Sequence, residues 1–120
     1  MELVIVESPF AGETEIVYEN ILYARKAMAD CLKRGEAPFA SHLLYTQSGV
    51  LNDEIPEDRK LGIAAGLCWG RVADKTVVYI DRGISKGMIK GMISAQQEGR
   101  PIELRTIEQD GAQLNVDVSI

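Results

Sequence analysis

The chain has 120 residues, enough for one domain with its own core and too few for a second. Its 18 Asp+Glu outweigh its 13 Lys+Arg for a formal net charge of -5, and no Lys/Arg run forms a basic stripe. That balance excludes nucleic acid and anionic membrane as expected partners and leaves a small molecule. A single His and two Cys outside any CxxC spacing give no structural zinc site, so neither metal nor cofactor is expected.

The N-terminus opens directly on an apolar run, Leu3-Val4-Ile5-Val6, without a basic leader, and no stretch approaches transmembrane length. A cytoplasmic protein is expected. Continuous rather than alternating apolarity predicts a strand buried on both faces of a parallel sheet. It ends in Glu7-Ser8-Pro9-Phe10-Ala11-Gly12, where Pro9 and Gly12 shape a loop. A helix follows from about Glu15 to Arg34. Val17, Ile21, Ala24, Met28 and Cys31 form its apolar stripe, Thr14 is a candidate cap, and Gly35 stops it.

Ala37 to Ala40 predicts a second strand. Ser41 to Gly49 then interleaves polar and apolar residues on the carboxyl side of the sheet, and Val50 to Ile55 is loop. Pro56, Glu57 and Asp58 suit the start of a second helix. Its inward face is expected at Leu61, Ala64, Ala65, Cys68 and Trp69, with Ile63, Leu67 and Trp69 as a candidate dimer seam. Cys31 and Cys68 are both expected as buried free thiols.

Thr76 to Ile80 is the third strand. Asp81 to Ser85 is a turn, and Ser85 caps a helix running to about Glu98 with Met88, Met92 and Ala95 inward. Pro101 to Leu104 is the fourth strand. Leu114, Val116 and Val118 alternate with polar residues and predict a C-terminal strand or hairpin over 106–120. The whole reads as a single α/β domain. It is a small open three-layer sandwich with a mainly parallel, flavodoxin-like or Rossmann-like sheet of four or five strands. Ligands of such sheets sit outside the carboxyl ends of the strands, where Glu7–Gly12, Ser41–Gly49 and Asp81–Ser85 are expected to meet.

Each polar residue at that rim has two readings. Asp81 either bonds sugar hydroxyls and moves protons, or accepts backbone N–H groups of its own turn. Ser85 caps the helix and stands beside unpaired N–H groups that suit a phosphate. His42 is either an acid/base or a loop residue capping carbonyls. Tyr45 and Gln47 either stack on and bond a base or lie on the surface, and Phe10 is either core or a stacking surface. Gly83 supplies turn freedom. Gly87 and Gly91 leave helix backbone bare, for close packing or for a ligand. Asn20 is expected to tie the first loop in place.

Three segments together carry a family resemblance. Ser8-Pro9-Phe10-Ala11-Gly12 is followed by Asn20 and Ala24. Pro38-Phe39-Ala40-Ser41-His42 comes next, then Asp81-Arg82-Gly83-Ile84-Ser85-Lys86-Gly87-Met88 with Ala95. In this order and spacing they resemble the nucleoside 2-deoxyribosyltransferase superfamily, closest to its short phage- and bacterium-encoded branch. The resemblance implies a flavodoxin-like sheet and cleavage or transfer at an N-glycosidic bond. It also implies a homo-oligomer whose neighbour completes the pocket.

By the same resemblance, Glu7 to Gly12 shapes the base and sugar pocket, and Asp81 to Met88 holds the sugar and any 5'-phosphate. The glutamate that the family uses as nucleophile falls on Gly91, which has no carboxylate to stabilise an oxocarbenium-like sugar. Either a displaced acid serves, with Asp81, Glu7, Glu57 and Asp58 as candidates, or the chain binds a nucleotide without turning it over.

Overall fold

The computed structural model describes residues 1–108, so the expected C-terminal strand or hairpin lies outside the described residues beyond Glu108. Eight elements follow one another. They are β1 (Leu3–Glu7), α1 (Thr14–Lys33), β2 (Ala37–Phe39), α2 (Ser41–Leu44), α3 (Pro56–Gly70), β3 (Lys75–Tyr79), α4 (Lys86–Gln97) and β4 (Ile102–Arg105). The strands form one parallel sheet in the order β2-β1-β3-β4. This is a small α/β, flavodoxin-like fold. The chain runs outward from β1 to β2, then returns past β1 to start β3. The order therefore reverses between β1 and β3, the point at which open α/β sheets leave a crevice at their carboxyl ends. Register pairs Glu7 with Val78, so the last residue of β1 lies beside that crevice.

The main core lies between α1 and the sheet. Val4, Val6, Val77 and Tyr79 meet Tyr23, Ala27 and Cys31 there, with Ala40 alongside. The buried residues of α1 are Asn20, Tyr23, Ala24, Ala27 and Cys31. Ala24 and Cys31 belong to the expected stripe, whose other members Val17, Ile21 and Met28 are half-buried beside it, Met28 against the core. Alanines at 24 and 27 let the backbone approach the strands. Two positions outside that stripe are held by side-chain bonds, Asn20 Nδ2 donating to Phe10 O at 3.0 Å and Tyr23 Oη to Asp81 Oδ1 at 2.6 Å. Thr14 is not the cap. Glu13 occupies that position without a side-chain bond, whereas Gly35 follows the helix with φ of 80° as a stop requires.

The expected inward face of α3 is corrected. Leu61 is 64% exposed, Trp69 50%, and Cys68 is exposed rather than buried. The helix packs instead through glycines one turn apart. A Cβ on Gly66 would stand 3.1 Å from Ser41 Cβ, and one on Gly70 would stand 3.2 Å from an Arg100 nitrogen. Hydropathy assigns no inward direction to glycine, so the stripe of larger residues misled. The short helix α2, also absent from the expectation, is the element on which Gly66 rests.

On the other side of the sheet α4 contributes Met88 and Ala95 as its buried residues. Ser85 is its cap, as expected, with Oγ accepting from Met88 N at 3.2 Å. Under β4 a polar network takes the place of apolar core. Arg105 donates through Nη2 to Glu36 Oε2 at 2.6 Å, and Lys75 Nζ lies 2.9 Å from the same oxygen. The Arg105 bond, more than any other cause, holds the Glu36 carboxyl down at about 2.

Candidate functional site

The loops after β1 and β2 bound a cavity of about 780 Å³. Phe10 and Gly12 line one side, while Thr46, Ser48, Asp53 and Asp58 are among the residues of the other. Of the expected site residues, the cavity thus collects Phe10, Gly12 and Asp58. Gly12 is there for space, since a Cβ would come within 2.8 Å of Ile16 Cγ2. Asp58 Oδ2 accepts from Asn52 N at 2.9 Å and braces the loop before α3, while Glu57 beside it is exposed.

Behind Phe10 lies a pair of groups. Ser8 is buried, and its Oγ lies 2.9 Å from His42 Nε2. The Phe10 and His42 rings meet edge to face at 5.6 Å. Burial pushes His42 down to about 4, so the imidazole is neutral near pH 7 and the contact is an uncharged hydrogen bond. His42 at the start of α2 therefore fixes the first loop against the second. Tyr45 and Gln47 already hold intramolecular partners. Tyr45 Oη accepts from Trp69 Nε1 at 2.9 Å, and Gln47 Nε2 donates to Leu44 O at 2.9 Å.

Asp81 ties its turn to α1 and to the segment after β4, rather than accepting N–H groups of the turn itself. Its oxygens accept from Tyr23 Oη at 2.6 Å, from Ile107 N at 2.9 Å and from Glu108 N at 2.8 Å. Burial raises the carboxyl, but these hydrogen bonds outweigh burial and leave it below the usual carboxylate range. Gly83 turns the chain with φ of 84°, closing Gly83 N on Ile80 O at 3.0 Å. Ser85 and Met88 are engaged with each other, Met88 Sδ accepting from Ser85 N at 3.3 Å. Gly87 is exposed, and only Ser85 Oγ, at 3.9 Å, approaches the place of its missing Cβ.

Glu7 differs from every other acid at the rim. It is half-buried, and among the described residues no hydrogen bond or ion pair engages its carboxyl. Its oxygens are not wholly sealed from solvent, since no fully buried side-chain oxygen among those residues lacks a partner. Burial pushes this carboxyl up to about 8, with the Arg100 charge opposing more weakly. Arg100 is occupied elsewhere, donating to Thr76 Oγ1 at 2.9 Å and to Gly70 O at 2.6 Å.

The Glu7 side chain ends on α4, against Gly91. An ideal Cβ on Gly91 would lie 2.0 Å from Glu7 Oε2 and 2.4 Å from its Cδ. The bare glycine thus makes the room that the carboxyl fills. Sequence spacing marks Gly91 as vacant, but the group opposite it comes from the far end of the chain. Among the described residues no cluster of His, Cys, Asp or Glu is arranged to hold a metal ion, and no helix is long and apolar enough to cross a membrane.

No curated protein matches the chain. Among solved structures it is similar to the 2-deoxyribosyltransferase from the psychrotolerant bacterium Bacillus psychrosaccharolyticus, a biocatalyst for the synthesis of antiviral and antitumoral nucleosides. Identity is 20% and the TM-score 0.61, over 97% of this chain and 79% of that one. At that identity the likeness establishes a shared fold. A family model described as "Domain of unknown function (DUF7768)" matches residues 2–105, nearly all that the structure describes, and the chain belongs to that family.

Proposed function

We propose that the chain recognises a nucleoside or nucleotide at the carboxyl rim of its sheet and hydrolyses or transfers at the N-glycosidic bond. The observation that carries this is the crevice at the strand-order reversal. Glu7 ends β1 at that reversal with its carboxyl against Gly91 of α4, while the cavity lined by Phe10 and Gly12 lies between the loops after β1 and β2 and has neither Glu7 nor Ser85 in its lining. The fold shared with a 2-deoxyribosyltransferase supports the substrate class. Breaking an N-glycosidic bond leaves positive charge on the sugar and negative charge on the base, so a carboxyl beside the crevice suits it.

In this proposal Phe10, Gly12 and Asp58 border the ligand, and Gly87 and Ser85 border its sugar or phosphate end. Ser8 and His42 hold the loop in shape, Asp81 fixes the turn, and Glu57 is the acid with least support. The protein acts in the cytoplasm as a homo-oligomer. A second reading, a non-catalytic nucleotide sensor or sequestering protein, is favoured by one observation, the missing side chain at Gly91.

Thermal-shift titration with deoxynucleosides and their monophosphates tests recognition, and chromatography of the released base tests turnover. A ligand at a hundred times its Kd stabilises the fold by about 2.7 kcal/mol, well within detection. Stabilisation with base release supports the enzyme, and stabilisation alone supports the binder. Neither response to any nucleoside or nucleotide overturns both.

A further inference from the structure

We propose that Glu7 is the general acid of this site, delivered from β1 into the space that Gly91 leaves open on α4, where it protonates the departing base. This rests on the proposed N-glycosidic reaction and goes further in assigning the residue and its role. Three observations carry it. The Glu7 oxygens are unengaged among the described residues although the side chain is half-buried. Gly91 is cut back at the atom that would collide with them. The residue ends β1 beside the strand-order reversal.

A carboxyl so placed holds its proton near neutral pH, since burial raises it to about 8. Among the described residues the charge that bears on it is Arg100, just before β4, whose guanidinium is committed to Thr76, Gly70 and Glu98. From α4 the facing residue is Gly91, with Lys86 and Lys90 exposed on that helix. On α2 His42 is neutral against Ser8. Glu7 therefore has no strong partner to ionise it before substrate arrives.

The step balances without a further reagent. As the C1'–N bond breaks, its electron pair goes to the base nitrogen, which takes the Glu7 proton. Water adds to C1' of the oxocarbenium-like sugar, and its proton returns to the Glu7 carboxylate. The net change is nucleoside plus water to free base plus sugar.

The test compares substrates that need this proton with substrates that do not. 2'-Deoxyguanosine needs it, whereas 7-methyl-2'-deoxyguanosine carries a cationic base that departs neutral. 2'-Deoxycytidine and nicotinamide 2-deoxyriboside form the pyrimidine-sized pair. Glu7→Gln is expected to slow the first of each pair by about 10²–10⁴-fold and the second by less than about tenfold. Wild-type rates on the first of each pair should also fall as pH rises through about 8. Gly91→Ala, which displaces the carboxyl without removing it, should show the same selectivity, covering the case of a misfolded Glu7→Gln.

Equal losses on both substrates of a pair, or no loss, overturn the assignment while the proposed function stands. Nucleoside binding by the wild type with no base release also overturns it. If the wild type neither binds nor cleaves any nucleoside, the proposed function itself fails.

Discussion

Glu7 at the end of β1 and Gly91 in α4 share one space, the missing Cβ of the glycine standing 2.0 Å from Glu7 Oε2. In an exposed helix interior alanine is worth about 1 kcal/mol over glycine. Here Gly91→Ala gains that only by driving the carboxyl away. In a Glu7→Ala background the gain should be complete. Urea denaturation of the four proteins in this cycle should give an unfavourable coupling of about 0.5–3 kcal/mol. Additive changes would mean that the two residues do not compete for the same space.

The titration of Glu7 sets a dependence of stability on pH. Its folded value of about 8 is above the ordinary 4.5, so between these values the folded chain keeps a proton that the unfolded chain releases. The stability contribution is whole below pH 4.5 and is lost as pH rises through about 8. Glu7→Gln removes this dependence and breaks no hydrogen bond among the described residues. Its Tm should match the wild type at pH 4.5 and exceed it by at least about 4 °C at pH 8.5, as a change near 1 kcal/mol gives for a domain this size. Parallel Tm profiles would show that Glu7 ionises normally. A gain in stability from removing an acid is the signature expected where an acid serves function.

Asp81 should behave in the opposite sense. Its carboxyl lies below the usual range, so its contribution is present above the ordinary 3.8 and is lost as pH falls through the lower folded value. Asp81→Asn replaces one accepting oxygen with a donor against Tyr23 Oη and the N–H groups of Ile107 and Glu108. Urea denaturation at pH 7 should show a loss of about 1–3 kcal/mol. A neutral substitution would free Asp81 for a direct part in the reaction.

The large side chains turned outward on α3 and α4 argue for self-association. Leu61, Leu67 and Trp69 on α3, and Ile89 and Ile93 on α4, are exposed, as are Ile102 and Leu104 of β4. Of these, Ile89, Ile93 and Ile102 line one shallow hollow, and exposed apolar surface marks interaction sites. Light scattering at micromolar concentration should give a homo-oligomer, and Ile93→Glu with Leu104→Glu should reduce it to the monomer. A monomeric wild type contradicts this expectation.

The strands were legible because a sheet covered on both faces leaves continuous apolar runs, as in Leu3–Val6 and Thr76–Ile80. The Ser85 cap and the Gly35 stop were legible because each follows from local chemistry. The inward face of α3 was not, and that of α1 only in part. Asn20 and Tyr23 are buried by bonds to distant partners, and α3 packs through glycines that carry no hydropathic direction. The loops after β1 and β2 do bound one cavity, but Asp81–Ser85 is not in its lining, and the bonds that hold these segments were hidden. Nothing near Asp81 in sequence announces that residues 107 and 108 fold back onto it. The vacancy at Gly91 was visible too, but Glu7 fills it only once β1 and α4 are brought together.

Single-turnover base release from 2'-deoxynucleosides by wild type and Glu7→Gln decides whether Glu7 protonates the departing base. The wild type should liberate free base, and the variant should bind the same substrate while releasing base at least about a hundredfold more slowly. Equal release by both proteins would show that Glu7 supplies no proton to the base.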